Sequence, residues 1–396
     1  MRALLHEIIE GILPELECLR HDLHQHPEIR FEERWTSDRI ADFLDKHSIL
    51  YDRGFAKGTG LVATLSGARG PCVALRTEMD ALEIAEETAL PYASSVPGRM
   101  HACGHDGHMA ALCGAAAAMG LFRAEIPGEV RFLFQPGEEV AGGARYMIED
   151  GALDGVDAIF GMHGWPSLPL GHVGVKAGVF MAGAQDFLIR VRGVGAHGAE
   201  PGAGVDPIVI TGHIILALQS IVSREVDPLE GSVVTVGIVR AGHSTNIIPE
   251  TAELRGTLRA LKPSVMEKLG AGVKRIAEHV AAAHRGSAEV DLGQGPYPPL
   301  TNDPGMAAFV RDTACEQLGA EFVVDLDQPF MVSEDFAFYL EKTPGAFFYL
   351  GTNPGQSDSP PKLHSPRYDF PDEALGPAVR MLTGLALRFI EANRSA

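Results

Sequence analysis

Short apolar runs alternating with helical patterns constrain this chain more than any other feature. GLVATLSG (60–67), CVALRTEMD (72–80), EVRFLFQPGEE (129–139) and DAIFGMHGW (157–165) are strand-like, and helical stretches occupy 106–122 and 141–150. Strands that are apolar almost throughout are buried on both faces. Their alternation with helices therefore predicts an α/β fold, a mostly parallel sheet covered by helices. The pattern returns after residue 300, with a helix over 304–318, a strand AFFYLG at 346–351 and a helix over 372–392.

Between these two blocks the texture changes. Strand 184–194, helix 206–225, strands 232–241 and 251–260, helix 264–285 and strand 287–293 follow in the order β-α-β-β-α-β, a compact two-layer unit. A chain of 396 residues exceeds one ordinary core. The expected organisation is a discontinuous domain, 1–182 with 297–396, interrupted by an inserted domain at 183–296.

Composition excludes some partners. The net charge is −19, from 33 basic and 52 acidic residues, and both a nucleic-acid backbone and an anionic membrane require a basic patch. The apolar stretches at 109–122 and 208–222 fall short of the ~18 residues of a membrane span. The first twenty residues read as an amphipathic helix rather than a secretion signal. Five cysteines, an odd number scattered through the chain, make no disulfide framework, and the expected home is the cytoplasm.

In a parallel sheet, ligands bind beyond the carboxyl ends of the strands. There stand Glu78 and Asp80, Glu138 and Glu139, and His163, with the HACGHDGH loop following one strand and His364 following another. A strand-end glutamate pair is ordinarily solvated, and a single histidine is ordinarily structural. Cys103 and His105 at alternate positions are harder to explain that way, because thiolate and imidazole suit a transition metal. His101 reads as orienting a neighbour, and His108, in a first helical turn, as facing core or cap. Cys103, His105, Glu139, His163 and His364 are too many ligands for one tetrahedral zinc and too few for two full shells. One bridging ligand reconciles the count; a thiolate or a carboxylate can bridge where a neutral imidazole cannot, which makes Cys103 the natural candidate. Two ions about 3.5–4 Å apart activate water and polarise a carbonyl together. Glu138, next to a ligand, is left to act as general base. Zn, Mn, Co and Ni all suit this donor set.

The ordered motifs LHQHPE (23–28), MDAL (79–82), MHACGHDGH (100–108), FQPGEE (134–139), GMHGWP (161–166), AHGAEPGAGVDPI (196–208), TNIIPETAELRGTLR (245–259), SEDFA (333–337) and LHSPRYDF (363–370) resemble the dimetal amidohydrolases. That group comprises hippurate hydrolases, N-acyl-amino-acid deacylases and indole-acetyl-amino-acid hydrolases, relatives of aminoacylase-1 and carboxypeptidase G2. The resemblance implies cleavage of an N-acyl amino acid to a carboxylate and a free amino acid, with two divalent ions per subunit. It implies a homodimer or higher homo-oligomer formed through the inserted lid or dimerisation domain. It assigns Cys103 as bridge, His105, Glu139, His163 and His364 as the remaining ligands, and Glu138 as base. His197 matches the histidine that polarises the scissile carbonyl, in its own subunit or its partner's. Asn246 and Arg259 match residues that hold the substrate's carbonyl and carboxylate, and Asp80 matches a residue supporting the ligands. Four positions depart from the pattern: Glu78 for a common Asp, Glu83 for Pro, Gly202 for His and Val332 for Gly. None is a ligand.

Other readings compete. A dipeptidase or carboxypeptidase acting on small peptides needs an acidic anchor for a free α-ammonium, for which Glu78 is the candidate. A non-catalytic binding protein would not need Glu138. Cys103 as a thiol nucleophile would not need the surrounding ligands.

Overall fold

The structure is a computed structural model and describes residues 2–67, 70–293, 296–355 and 360–394. Two compact units are present. The first contains Met1–Gly178, Thr301–Asp327 and Asp335–Ala396, and the second Val179–Leu300 with Gln328–Glu334. The last segment, which the sequence places outside the insert, joins the second unit through hydrogen bonds. The Ala182 N–H lies 2.9 and 3.0 Å from the carbonyls of Phe330 and Val332.

The first unit is built on an eight-stranded sheet. At its centre Glu129–Gln135, Cys72–Glu78, Ala158–Pro169 and Gly345–Asn353 run parallel, in that order, so their carboxyl ends share one edge. Gly60–Ser66 runs against this direction and pairs antiparallel with both Leu50–Phe55 and Glu129–Gln135. The cause is local: the few residues joining Phe55 to Gly60 suffice for a hairpin, whereas a parallel return needs a long crossover. On the other side Val173–Val175 pairs antiparallel with Gly345–Asn353 and parallel with Val323–Asp325. Every residue of Cys72–Glu78 is buried, as a central parallel strand requires.

Helix His105–Gly120 has no polar face and is buried from His105 to Met119. A helix apolar all round belongs in the interior, and this one packs against helices Arg2–Gln25 and Leu375–Ala392. Its small residues permit the close approach. A Cβ on Gly114 would come within 2.5 Å of Leu16 Cδ1, and interiors at crystal-like density leave no room for that.

The second unit has a four-stranded antiparallel sheet in the order Ser232–Ala241, Thr251–Ala260, Gly183–Arg192, Ser287–Asp291. Phe187, Ile189 and Val191 alternate toward a core shared with Ile214, Leu218 and Leu269, from helices Pro207–Ser220 and Pro263–Ala283. The first helix starts on Pro207, and the Asp206 carboxylate caps it by accepting the Ile208 N–H at 2.8 Å. Pro207–Glu225 is long and apolar enough, by length and composition, to cross a membrane. Its residues Ile210, Ile214, Leu218 and Ile221 instead pack into this unit's core.

Candidate functional site

The parallel strands of the first unit bring distant residues to one edge. Cys103 Sγ lies 3.3 Å from both His163 Nε2 and His364 Nε2. Donor atoms of Cys103, His105 and His163 fall within 4.8 Å of one another, as do those of Cys103, Glu139 and His364, and those of His105, Glu138 and Glu139. Cys103 belongs to the first two of these three groups, and His105 and Glu139 also fall in two each. His163 lies inside strand Ala158–Pro169 rather than at its end. His364 reaches the cluster from a loop with φ +64°, held where its N–H donates to Ala102 O at 2.8 Å.

Two of the three rings are oriented by their second nitrogen. His105 Nδ1 donates to the Asp80 carbonyl at 2.7 Å and His163 Nδ1 to the Gly164 carbonyl at 2.8 Å, which aims each Nε2 at the cluster. The Asp80 carboxylate accepts the backbone N–H groups of Glu138 and Glu139 at 3.0 Å each. One residue therefore supports His105 through its main chain and the glutamate pair through its side chain. The turn into Glu138–Ala141 passes through Gly137 at φ +66°. That left-handed backbone favours glycine, and a Cβ there would meet the Phe31 ring at 3.0 Å.

The chemistry of this donor set fits cations. His105 Nε2 and Glu139 Oε1 are buried without a hydrogen-bond partner among the described residues. Glu139 Oε1 does lie 3.2 Å from His364 Nε2, close enough for charge attraction but not aligned for a hydrogen bond. Burial, Glu139 and Glu138 push the Cys103 thiol well above its usual range. Burial opposes a charge on His105, yet Asp80, Glu78 and Glu139 push it up to about 10. Burial would raise Glu139, and the His364 and His105 imidazoles hold it below its usual value. The cluster thus carries an excess of acceptors and negative charge that a divalent cation neutralises.

His197, Asn246 and Arg259 lie in the second unit. His197 and Asn246 come together on a two-stranded ladder: Ile247 pairs with His197, and Gly198 N–H donates to Asn246 O at 2.8 Å. The exposed His197 ring accepts the Ala199 N–H at Nδ1, 3.1 Å away. Arg259 sits apart on strand Thr251–Ala260, its guanidinium donating to Thr257 Oγ1 and to the Leu258 carbonyl.

Several supporting residues have partners that the sequence does not reveal. Arg76 donates to Glu78, to Gln135 Oε1 at 2.8 Å and to Asp335 Oδ1 at 2.6 Å. The Asp335 N–H points at Glu138 Oε1 at 3.3 Å. His108, read as facing core or cap, joins Glu78 to Gly164. His101, read as orienting a neighbour, has both ring nitrogens buried without a partner among the described residues.

A mixed α/β sheet with thiol, imidazole and carboxylate donors converging at the carboxyl edge of its parallel strands is the architecture of a metallohydrolase. The chain belongs to Peptidase family M20/M25/M40, whose pattern matches residues 74–388. It is 41% identical over 375 residues to N-acetylcysteine deacetylase of Bacillus subtilis (strain 168), covering 94% of this chain and 96% of that protein. It is 37% identical over 382 residues to IAA-amino acid hydrolase ILR1-like 5 of Arabidopsis thaliana, covering 96% and 87%. Among solved structures, the YXEP protein of Bacillus subtilis, a dinuclear metal-binding peptidase of the M20 family, superposes with TM-score 0.80 at 38% identity, covering 96% of this chain and 99% of that one.

Proposed function

We propose that this protein is a metal-dependent amidohydrolase that cleaves the amide bond of N-acyl amino acids to a carboxylate and a free amino acid. The observation that carries the reading is the Glu138–Glu139 pair, its two N–H groups clamped by Asp80, beside the Cys103, His105, His163 and His364 donors. The deacetylase and amino acid hydrolase relatives support it. Cys103 as bridge, with His105, Glu139, His163 and His364, would hold two divalent cations, Zn, Mn, Co or Ni. When bound, these supply Lewis acidity toward the amide carbonyl and toward water.

The chain's own groups do the rest. Glu138 takes a proton as water's oxygen bonds to the carbonyl carbon, and returns it to the nitrogen as the C–N bond breaks. The amine then leaves neutral, and the acyl product carries the new oxygen. General-base transfer of this kind contributes roughly 10²–10⁴ in rate. His197 hydrogen-bonds the carbonyl oxygen as charge develops on it. Asn246 holds the substrate carbonyl, and Arg259 pairs with the free carboxylate. A half-buried guanidinium, with no acid bonded to it among the described residues, suits that task.

The dipeptidase alternative loses its anchor. Glu78 is fully buried and bonded to Arg76 and His108, so it does not receive an α-ammonium. The test is a panel of N-acetyl, N-benzoyl and long-chain N-acyl amino acids against dipeptides, under Zn²⁺, Mn²⁺, Co²⁺ and Ni²⁺. Faster turnover of dipeptides than of every N-acyl amino acid overturns the proposal.

The second unit supports a homodimer. Ile208, Val209 and Leu216 on helix Pro207–Ser220 are exposed, as are Ile238 and Val239 on the edge strand Ser232–Ala241. An apolar helix face beside a bare strand edge invites a second copy, and Leu216→Glu should shift the mass in solution to a monomer. None of the five cysteines is disulfide-bonded, which supports a cytoplasmic location.

A further inference from the structure

Three consecutive backbone N–H groups open the turn that carries the glutamate pair. Asp80 takes two of them, as described above. The third, Gly137 N–H, donates to Glu33 Oε1 at 3.0 Å. Glu33 is fully buried, and its other oxygen accepts the Thr59 hydroxyl at 3.1 Å. One carboxyl therefore ties together the residue before helix Arg34–Lys46, the residue before strand Gly60–Ser66 and the turn before Glu138. Phe31, two residues earlier, lays its ring over Gly137. Lys57 Nζ stands 4.1 Å from the ring centres of both Phe31 and Tyr146, so the ring itself is held.

This arrangement is costly as a stabilising device alone. Burial and the Asp80 carboxylate push Glu33 up to about 8, and an apolar residue of similar size would avoid that penalty. What the carboxyl contributes instead is direction. Gly137 has no side chain to anchor it, and its φ of +66° decides where the next two N–H groups and their side chains point.

We infer that Glu33 is a positioning residue for Glu138 and Glu139, acting through the Gly137 N–H. The inference rests on the roles proposed above for that pair, and Glu33 itself touches no substrate.

The experiment compares Glu33→Leu, which keeps the bulk and loses both acceptors, with Glu33→Gln, which keeps an oxygen for the Gly137 N–H. Mn²⁺ binding to the metal-stripped proteins is measured by calorimetry, and kcat and KM are measured separately on the loaded enzyme. Glu33→Leu should weaken Mn²⁺ binding and lower kcat by roughly 10- to 100-fold, the usual size for a group that orients a ligand, with KM little changed. Glu33→Gln should restore most of both. If Glu33→Leu lowers only the melting temperature, leaving Mn²⁺ affinity and kcat as in the wild type, the residue is merely structural and the inference fails. Equal losses in the Leu and Gln variants overturn it as well, since the bond to Gly137 survives in one. Should Glu33→Leu not fold, Thr59→Val removes the carboxyl's second tether and should show the same loss in milder form; unchanged affinity and kcat there count against the role. Calorimetry needs no substrate, so a wrong substrate class would leave this test standing.

Discussion

His108 Nδ1 lies 3.2 Å from Glu78 Oε2. Its other nitrogen, Nε2, accepts the Gly164 N–H at 2.8 Å, so the proton must sit on Nδ1 and the ring is a single neutral tautomer. Burial, working against Glu78, lowers His108 and keeps it uncharged. Gly164 in turn accepts from His163 Nδ1. A line of bonds thus runs from Arg76 through Glu78, His108 and Gly164 to a proposed metal ligand.

His108→Ala cuts that line. Apoprotein affinity for Zn²⁺ or Mn²⁺ should fall by about 10- to 100-fold, as when the support of a ligating histidine is removed. Titration calorimetry reads it, and wild-type affinity would show that Gly164 needs no such support.

Glu138→Gln keeps the shape of the side chain and removes the base. The metal content by elemental analysis should remain while kcat drops by roughly 10²–10⁴. A variant that turns over at the normal rate would mean that another group takes the proton.

Cys103→Ala should bind fewer ions, because Sγ lies among the donor atoms of His105, His163, Glu139 and His364. The expected result is the loss of at least one ion per subunit. Two ions retained would assign the bridge elsewhere.

Arg259→Ala tests carboxylate recognition. Losing a charge-assisted bond of roughly 1.5–3 kcal/mol should raise KM for an N-acyl amino acid by about ten- to a hundredfold. The same substrate with its carboxylate amidated should be barely affected. Equal changes for both would remove Arg259 from that role.

His24 gives a pH signature of stability. Its Nδ1 lies 2.9 Å from Asp106 Oδ2 and its Nε2 3.3 Å from Glu86 Oε1. Burial opposes protonation, but Asp106 and Glu86 together raise its pKa to about 10 from 6.5. A folded value above the unfolded one stabilises fully below about pH 6.5, and that stabilisation is lost as pH rises through about 10. The melting-temperature gap between wild type and His24→Gln should therefore be wide at pH 6 and close by about pH 10. A gap that is constant with pH would show that His24 does not titrate in the folded protein.

The proposed ligands are legible in the sequence because their chemistry is rare where they stand. A thiol and an imidazole at 103 and 105 have few ordinary uses so close together, whereas two adjacent glutamates after an apolar strand are ordinarily solvated and gain meaning only beside the other donors. Helix His105–Gly120 is equally plain, since a run of alanines without a polar face belongs in the interior. The antiparallel course of Gly60–Ser66 is not, because its apolar pattern matches a parallel strand equally well and only the short connection decides.

The supporting residues are hidden for a different reason. Glu33 looks like an ordinary surface charge in sequence, and neither Arg76 in its apolar strand nor Asp335 in the SEDFA motif shows which partner it meets. Arg76 meets Asp335 across 259 positions, and Glu33 meets Gly137 across 104. Side-chain type and strand pattern act over a few residues, so the sequence alone determined the donor chemistry and the elements that carry it. Which carboxyl is buried, which nitrogen of a histidine is tied back and which turn is clamped depend on chain segments remote from one another. Those were decided by tertiary packing, because burial turns an unremarkable charge into a group that must find a partner.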